Sequence, residues 1–260
     1  GTSAAVLIGS AALAHPHASD LQVIAQFIAE QTGASLGFLP EGGNAVGAAL
    51  VNANGAGIES VLSGDRRAVL LMNIEPDADL PNPVQARAAL AKANTVIALS
   101  AYQSPDLLEV ADVILPIGPF TETVATFVNA EGRVQTIQPA VKPLGDSRPA
   151  WKVLRALGSL LSLDGFLLNM PEEVLGEALT DSYCTRLNNQ PTRNTIENGA
   201  NAPAQGLERL ADVNIYAGDP IVRRSPALQL TRDAKRGNQA GLNQHVFVEL
   251  GLKAVSYTHL

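Results

Sequence analysis

Five short apolar runs divide the first half of this chain, at intervals that leave room for a helix between most of them. The runs are Ala4–Ile8, Leu36–Leu39, Ala68–Met72, Thr95–Leu99 and Val113–Leu115. Each has the length of a strand, and the first is continuously apolar, as expected for a strand buried on both faces. Because strand–helix–strand repeats connect through right-handed crossovers, the pattern predicts an α/β fold with a doubly wound, mostly parallel sheet.

Local capping signals predict where the helices begin and end. Ser19 is a predicted helix N-cap, and Gly33 ends the same helix. Asn82 caps the next predicted helix by the same rule, with a proline in its first turn. A third helix, Arg148–Leu161, is predicted to begin at the cap residue Ser147.

Polar and glycine-rich loops follow two of the apolar runs. Asn73 and Glu75 come directly after Ala68–Met72, where parallel sheets place their ligands, at the carboxyl ends of the strands. The loop Gly42–Gly47 follows the second run and is either a tight turn or a place where the backbone approaches a phosphate. It lacks the G-x-G-x-x-G spacing of a dinucleotide site.

A polar four-residue turn, Asn129–Gly132, separates two β-type segments. Gly132 is suited to a positive φ, and Arg133 begins the returning strand. The pattern predicts a hairpin with charge at its tip. Glu131 and Arg133 either form an exposed ion pair of at most about 1 kcal/mol or brace the hairpin through a charge-assisted pair.

Net charge disfavours one class of partner. The chain carries a formal charge of −7 with an isoelectric point near 5.1, so binding to nucleic acid is disfavoured. The segment Arg223–Arg236 is an exception, with five Lys and Arg residues against the single acid Asp233. It is either a solvated surface or a docking surface for an acidic neighbour.

Few residues of the sequence are suited to binding a metal or to crossing a membrane. A single cysteine, Cys184, cannot form an internal disulfide or hold an iron–sulfur cluster. His15 and His17 are either an incomplete metal pair or solvated loop residues, since no third ligand is near in sequence. No apolar run approaches the ~20 residues of a transmembrane helix, so direct membrane insertion is not expected.

The run Ala111–Gln135, with the sequence ADVILPIGPFTETVATFVNAEGRVQ, resembles a signature of the molybdopterin oxidoreductase superfamily. In that family a strand leads through a Thr-Glu loop to an N-x-E-G-R-x-Q hairpin beside the cofactor cleft. The residues that match this hairpin are Asn129, Glu131, Gly132, Arg133 and Gln135.

Flanking segments narrow the resemblance to one branch of the superfamily, the G-type subunit of bacterial NADH-quinone oxidoreductase, or respiratory complex I. They are Val141–Gly145, Ser147–Arg155, Leu39–Ala48, Ser100–Tyr102 and Arg223–Thr231. The resemblance implies a fragment that lacks the family's amino-terminal iron–sulfur region. It also implies a structural role in electron transfer from NADH to quinone, with the other peripheral-arm subunits as partners, on the cytoplasmic side of the bacterial inner membrane.

The resemblance also implies a division into domains. An α/β domain over 1–163 is followed by a helix and linker over 164–208. Residues 209–254 then resemble the start of an incomplete carboxy-terminal β-barrel, and 255–260 resemble a non-native tail.

The site that the resemblance implies is a vestigial pterin-nucleotide cleft. Its residues are Asn44, Asn73, Glu75, Asn129, Glu131 and Arg133. No catalytic residue, metal ligand or cofactor is expected in this fragment, and the iron–sulfur clusters are expected upstream.

Two alternatives to the structural role stay open. One is a molybdopterin-dependent oxidoreductase similar to formate dehydrogenase, in which Asn44, Glu75, Asn129 and Arg133 contact the cofactor. The other is a plain nucleotide-binding module that holds a phosphate at Gly42–Gly47, although a Walker lysine is missing.

Overall fold

In the residues it describes, a computed structural model of the chain has seven strands in three sheets. The strands are β1 (Ala5–Ile8), β2 (Ser35–Phe38), β3 (Ala68–Met72), β4 (Thr95–Ser100), β5 (Val113–Pro116), β6 (Ala125–Val128) and β7 (Val134–Ile137). The structure describes residues 3–53, 55, 57–63, 65–180, 182–190, 195–196, 206–207, 214–237 and 239–252.

The sheets confirm the predicted α/β class with mostly parallel strands. β1 pairs in parallel with β2, and β3, β4 and β5 form a parallel sheet in that order. All five apolar runs form strands, shifted by at most one residue at either end, because β-branched and apolar residues fit a pleated surface. The third sheet is the antiparallel hairpin of β6 and β7.

Thirteen helices lie in the described residues, most of them shorter than three turns. The longer ones are α2 (Ala18–Thr32), α6 (Pro83–Leu90), α8 (Ala150–Leu160) and α9 (Pro171–Ala178). The shorter ones are α1 (Ser10–Leu13), α3 (Ala45–Leu50), α4 (Glu59–Leu62), α5 (Pro76–Asp79), α7 (Pro105–Val110), α10 (Pro220–Arg223), α11 (Pro226–Gln229), α12 (Arg232–Arg236) and α13 (Gln244–Glu249).

Two of the predicted helix boundaries are confirmed and two are wrong by a couple of residues. Gly33 ends α2 in the left-handed conformation with φ +68°, and the Asn82 side chain accepts the Gln85 N–H at 3.1 Å. The predicted caps Ser19 and Ser147 are wrong. α2 begins directly after His17, and the Ser147 hydroxyl instead donates to the Leu144 carbonyl at 2.7 Å.

The core lies in the β3–β4–β5 sheet and the helices packed on it. Its buried cluster is Leu71, Leu90, Val96, Ala98 and Leu107. β1 differs from the prediction of a strand buried on both faces, since Leu7 is 61% exposed. The reason is that β1 belongs to a two-stranded sheet, and continuous hydrophobicity does not by itself supply elements to cover both faces.

The segment after α8 packs back on the α/β unit. The ring of Phe166 lies against Gly158, where a Cβ would overlap it. The Leu187 side chain likewise occupies the space beside Gly132, and the Asn189 carboxamide donates to the Leu36 carbonyl at 2.8 Å. Residues as far as Asn189 therefore complete the unit that contains the sheets.

Residues 1–210 and 211–260 form two compact units. The division that makes 209–254 the start of a carboxy-terminal domain stays a prediction; among these residues, the described part of 214–252 forms the short helices α10 to α13. Local capping favours these helices. Asp219 and Asn243 accept backbone N–H groups at the starts of α10 and α13, and a proline occupies the first turn of α10 and of α11.

Several predictions concern residues that the structure does not describe. The expected tail, 255–260, lies outside the described residues, as do 191–194 and 197–205 of the predicted helix and linker over 164–208. Within the described part of the chain, no helix is long and apolar enough to cross a membrane.

Candidate functional site

The predicted hairpin forms, and the side chain of Asn129 organises its tip. The Asn129 Oδ1 atom accepts the backbone N–H groups of Glu131 at 3.0 Å and Arg133 at 2.9 Å. The Gly132 N–H donates to the Asn129 carbonyl at 2.9 Å, and Gly132 has the positive φ, +80°, that the sequence predicted. An asparagine that accepts from its own turn holds the tip in one conformation without any ligand.

The side chains of Glu131 and Arg133 do not brace this turn. Both residues are exposed, and the described residues contain no ion pair between them. Asn129 braces the turn instead, because a carboxamide in the same turn reaches the backbone directly. The two charges are free to face solvent or a partner.

Asn44 joins the hairpin to α3. Its Oδ1 atom accepts the N–H of Val128, which is 3% exposed, at 2.8 Å. Asn44 is half-buried and stands at the N-cap position of α3, yet it makes no side-chain bond to its own helix. Gly47 is buried directly beneath the carboxamide, and a Cβ at this position would overlap Asn44 Oδ1. The glycine-rich loop is thus shaped around a contact within the protein.

A cleft opens between the end of β2, helix α3 and the hairpin tip. It has a volume of about 760 Å³, within the usual range for ligand sites. Its polar lining comes from Glu131, Arg186, Asn188 and Asn189, and the remainder is largely apolar. The apolar and glycine lining residues are Leu13, Gly37, Phe38, Leu39, Pro40, Ala45, Val46, Ala49, Leu50, Ala130, Gly132 and Leu187.

A smaller cavity of about 390 Å³ also borders Asn44. It is lined mainly by apolar side chains of α3, β6, α8 and α9, and it includes Trp151. Trp151 is the only tryptophan of the chain. Its emission therefore reports on the surroundings of Asn44.

Asn73 and Glu75 follow β3, as predicted. Their backbone hydrogen bonds go to residues near the ends of β3 and β4 and not to the hairpin. Asn73 is exposed, has a φ of +54° and donates its N–H to the Leu99 carbonyl at 2.7 Å. Glu75 is 5% exposed, and its N–H donates to Asp79 Oδ2 at 2.7 Å. The structure thus brings Asn44, Asn129, Glu131 and Arg133 to the hairpin and places the other two residues at the β3 end.

Sequence reasoning missed Asp106, a buried carboxylate at the start of α7. Its Oδ2 atom accepts the Asp77 N–H at 2.8 Å and so connects α7 to α5. Burial alone would raise the pKa of Asp106, but the N–H groups of Asp77 and Leu107 and the nearby Ser104 hydroxyl outweigh it, so the pKa is lowered. The signal available was Ser104-Pro105-Asp106, which begins four residues after the end of β4 and is a helix start that places a carboxylate near free N–H groups.

The donor set does not fit a metal centre. Among the described residues, no three His, Cys, Asp or Glu side chains are placed to hold a metal ion. His15 Nδ1 accepts the His17 N–H at 3.0 Å, and His17 Nδ1 lies 3.6 Å from Asp20 Oδ2. Cys184 is exposed on a 3₁₀ turn. The described residues thus supply no cluster of metal-ligating side chains.

The polar side chains near the cleft give it no excess of positive charge. The Oδ1 atoms of Asn44 and Asn129 accept backbone N–H groups, and the cleft lining carries one carboxylate, Glu131, and one guanidinium, Arg186. The lining thus lacks the cluster of cations that would favour the phosphates of a pterin nucleotide. The arrangement can fix the hairpin against α3 and present an apolar cleft with a charged margin.

Comparison with known proteins gives partial matches of two kinds. A "Putative formate dehydrogenase" of Staphylococcus aureus (strain MRSA252) is 45% identical over 67 residues, 26% of this chain and 7% of the relative. The G-type subunit of NADH-quinone oxidoreductase from Streptomyces coelicolor (strain ATCC BAA-471 / A3(2) / M145) is 42% identical over 86 residues, 33% of this chain and 10% of the relative. The matched segments thus span a tenth or less of either relative.

The family comparison covers more of the chain. The model of the molybdopterin oxidoreductase family matches residues 2–160, which include the seven described strands, the helices α3 and α8, and the hairpin. This is well over half of the 260 residues. The chain belongs to the molybdopterin oxidoreductase family.

Proposed function

We propose that this chain is a structural part of the peripheral arm of an NADH-quinone oxidoreductase, on the cytoplasmic side of a bacterial inner membrane. In this role it supports electron transfer from NADH to quinone and contacts other peripheral-arm subunits. The iron–sulfur clusters are carried by other residues of the full-length protein, and this chain holds no redox cofactor. The similarity to the NADH-quinone oxidoreductase protein of Streptomyces coelicolor supports the proposal.

One observation carries the structural role. Asn44 and Asn129, two of the side chains expected to meet a pterin nucleotide, use their Oδ1 atoms to accept the protein's own backbone N–H groups, at Val128 and at the hairpin tip. These bonds hold the hairpin against α3 without a cofactor. Such a hairpin suits a domain that retains the family fold as a scaffold.

The second candidate is a catalytic molybdopterin-dependent oxidoreductase similar to formate dehydrogenase. The staphylococcal relative, with its 45% identity, favours it. Under this alternative Asn44, Glu75, Asn129 and Arg133 would contact the cofactor. The exposed Arg133 is the cation of this set and would meet its phosphates.

Metal and cofactor analysis of the natural full-length protein distinguishes the two candidates. The protein is purified gently from cells supplied with molybdate and tungstate, with a known molybdopterin enzyme processed in parallel as the control for cofactor retention. Elemental analysis and mass spectrometry then measure molybdenum, tungsten, iron and pterin nucleotide. We expect iron without pterin, together with co-purification of other complex I subunits. Stoichiometric pterin with molybdenum or tungsten would overturn the structural role and establish the enzyme.

A further inference from the structure

The second unit carries an exposed cationic face on an otherwise acidic chain. We define this cationic face as Leu230, Arg232, Lys235 and Arg236, on α12 and just before it. All four residues are exposed, Leu230 to 69%. By contrast, the chain has a net charge of −7, and residues 1–65 contain no Lys or Arg.

The backbone beneath the cationic face is fixed by contacts within the second unit. Ala234 is 8% exposed and forms the inward side of α12. The Thr231 hydroxyl accepts the Ala234 N–H at 3.3 Å at the start of the helix. The Asn214 carboxamide donates to the Asp233 carbonyl at 2.8 Å and to the Ala234 carbonyl at 3.3 Å. The cations are therefore displayed from an ordered helix, which lowers the entropy lost when a partner binds.

The charges of the cationic face are poorly neutralised within the chain. Among the described residues, Arg232 and Lys235 make no ion pair, and Arg236 reaches Asp233 only at 3.9 Å. The Arg236 and Asp233 side chains are 59% and 66% exposed, so this pair is weak. Spacings of three and four residues place Arg232 with Lys235 and Arg236 on neighbouring parts of the helix surface. The result is a compact positive patch with an apolar residue at its edge.

We propose that the cationic face docks against an acidic protein surface on a neighbouring subunit, and this inference rests on the proposed function. Three cations on one short helix provide electrostatic steering toward an acidic patch, and Leu230 adds apolar contact area. A protein partner is favoured over nucleic acid because the chain's net charge of −7 opposes a long polyanion, whereas a local acidic patch meets only the cationic face.

Charge reversal in the full-length protein tests the docking. The triple variant Arg232→Glu, Lys235→Glu and Arg236→Glu is expressed in cells that lack the natural protein, and its co-purification with tagged complex I is measured over a series of salt concentrations. We expect about tenfold weaker retention than for the unmodified protein at low salt, and a smaller difference at high salt where charges are screened. Binding of a polyglutamate peptide and of duplex DNA to the purified proteins is measured in parallel.

The matched control places the same charge change on the first unit. Arg67→Glu, Lys92→Glu and Lys142→Glu alter three exposed cations, and we expect normal retention. A charge-conserving variant, Arg232→Lys with Arg236→Lys, should also be retained. Equal thermal unfolding of all variants would show that folding is unaffected.

Different outcomes contradict different parts of the proposal. Equal retention of the charge-reversed and unmodified proteins would overturn the docking surface and leave the proposed function in place. Absence of the unmodified protein from complex I would overturn the proposed function and the partner with it. Tighter binding to duplex DNA than to polyglutamate would replace the protein partner by nucleic acid.

Discussion

At the scale of single residues, Asn44 and Gly47 determine how the hairpin meets α3. The Asn44 carboxamide satisfies the N–H of Val128, which is 3% exposed, and Gly47 leaves the room that this carboxamide occupies. A buried N–H without an acceptor costs roughly 1–3 kcal/mol, so this one bond is a substantial part of the hairpin's attachment. The glycine matters for space, since its φ is not in the left-handed region.

In a double-mutant cycle on these two residues, removing the Asn44 side chain should reverse the sign of the effect of Gly47→Ala on stability. We expect Gly47→Ala alone to lower the free energy of unfolding by about 1–3 kcal/mol, because the new Cβ displaces the carboxamide from Val128. In the Asn44→Ala background the obstructing atoms are gone, and Gly47→Ala should then stabilise the helix by about 0.5–1 kcal/mol. Urea unfolding followed by Trp151 emission measures both.

The control for this cycle is Asn94→Ala, which changes an exposed asparagine that makes no side-chain hydrogen bond among the described residues. We expect it to change stability by less than about 0.5 kcal/mol. If Gly47→Ala had the same effect with and without Asn44, the proposed spatial coupling would be wrong.

At the scale of elements, the starts of α5 and α7 are tied together at the carboxyl ends of β3 and β4. The Asp106 carboxylate of α7 accepts the Asp77 N–H of α5, in the first turn of a helix whose N–H groups lack partners within it. Burial opposes the charge, and the hydrogen bonds to it prevail, so the pKa of Asp106 is below its ordinary value of 3.8. A carboxylate with a lowered pKa stabilises the folded state in its ionised form.

The Asp106→Asn variant should therefore be destabilised in a pH-dependent way. We expect the free energy of unfolding to fall by about 1–2 kcal/mol at pH 7, because a neutral acceptor replaces a charge-assisted one. The folded pKa is lowered, so this contribution is complete above the ordinary pKa of 3.8 and is lost as the pH falls below it. The difference between the two proteins should accordingly shrink below about pH 4.

Urea unfolding at several pH values between about 3 and 7, a range that spans the titration of a carboxylate, measures this difference. Glu109→Gln is the matched control, since it removes an exposed carboxylate from the same helix. A destabilisation of Asp106→Asn that stayed constant to the acid end of this range would contradict a role for the ionised carboxylate.

At the scale of the whole molecule, the chain consists of two compact units with different construction. The first unit, 1–210, holds all the described strands and the only tryptophan, whereas the described part of 211–260 is made of short helices. A unit with a core of its own can unfold as a separate cooperative step.

Two spectroscopic probes should consequently give different unfolding curves. Trp151 emission follows the first unit alone, and far-UV circular dichroism follows the helices of both units. We expect the dichroism transition to contain a component that the emission transition lacks, because two-state coincidence fails when units unfold separately. Coincident curves in urea and in heat would mean that the two units unfold as one.

Local sequence patterns were sufficient for much of the fold and for recognising the family. β3 runs over the predicted residues Ala68–Met72 because its apolar residues prefer a pleated strand wherever the sheet lies. Gly33 and Asn82 end and begin helices by interactions within one turn. The hairpin turn at Gly132 is equally local. Where a cap was wrong, as at Ser147, a competing bond to the Leu144 carbonyl took the hydroxyl.

The sequence by itself thus determined the strands, several helix boundaries, the hairpin and the membership of the molybdopterin oxidoreductase family. Only the tertiary structure decided that Asn44 bonds Val128, that Asp106 bonds Asp77, and that Leu7 is exposed. Local sequence patterns indicate the conformation that a residue favours with neighbours a few positions away. A contact between residues 84 positions apart depends on how separate elements pack, and packing arises only from the assembled fold.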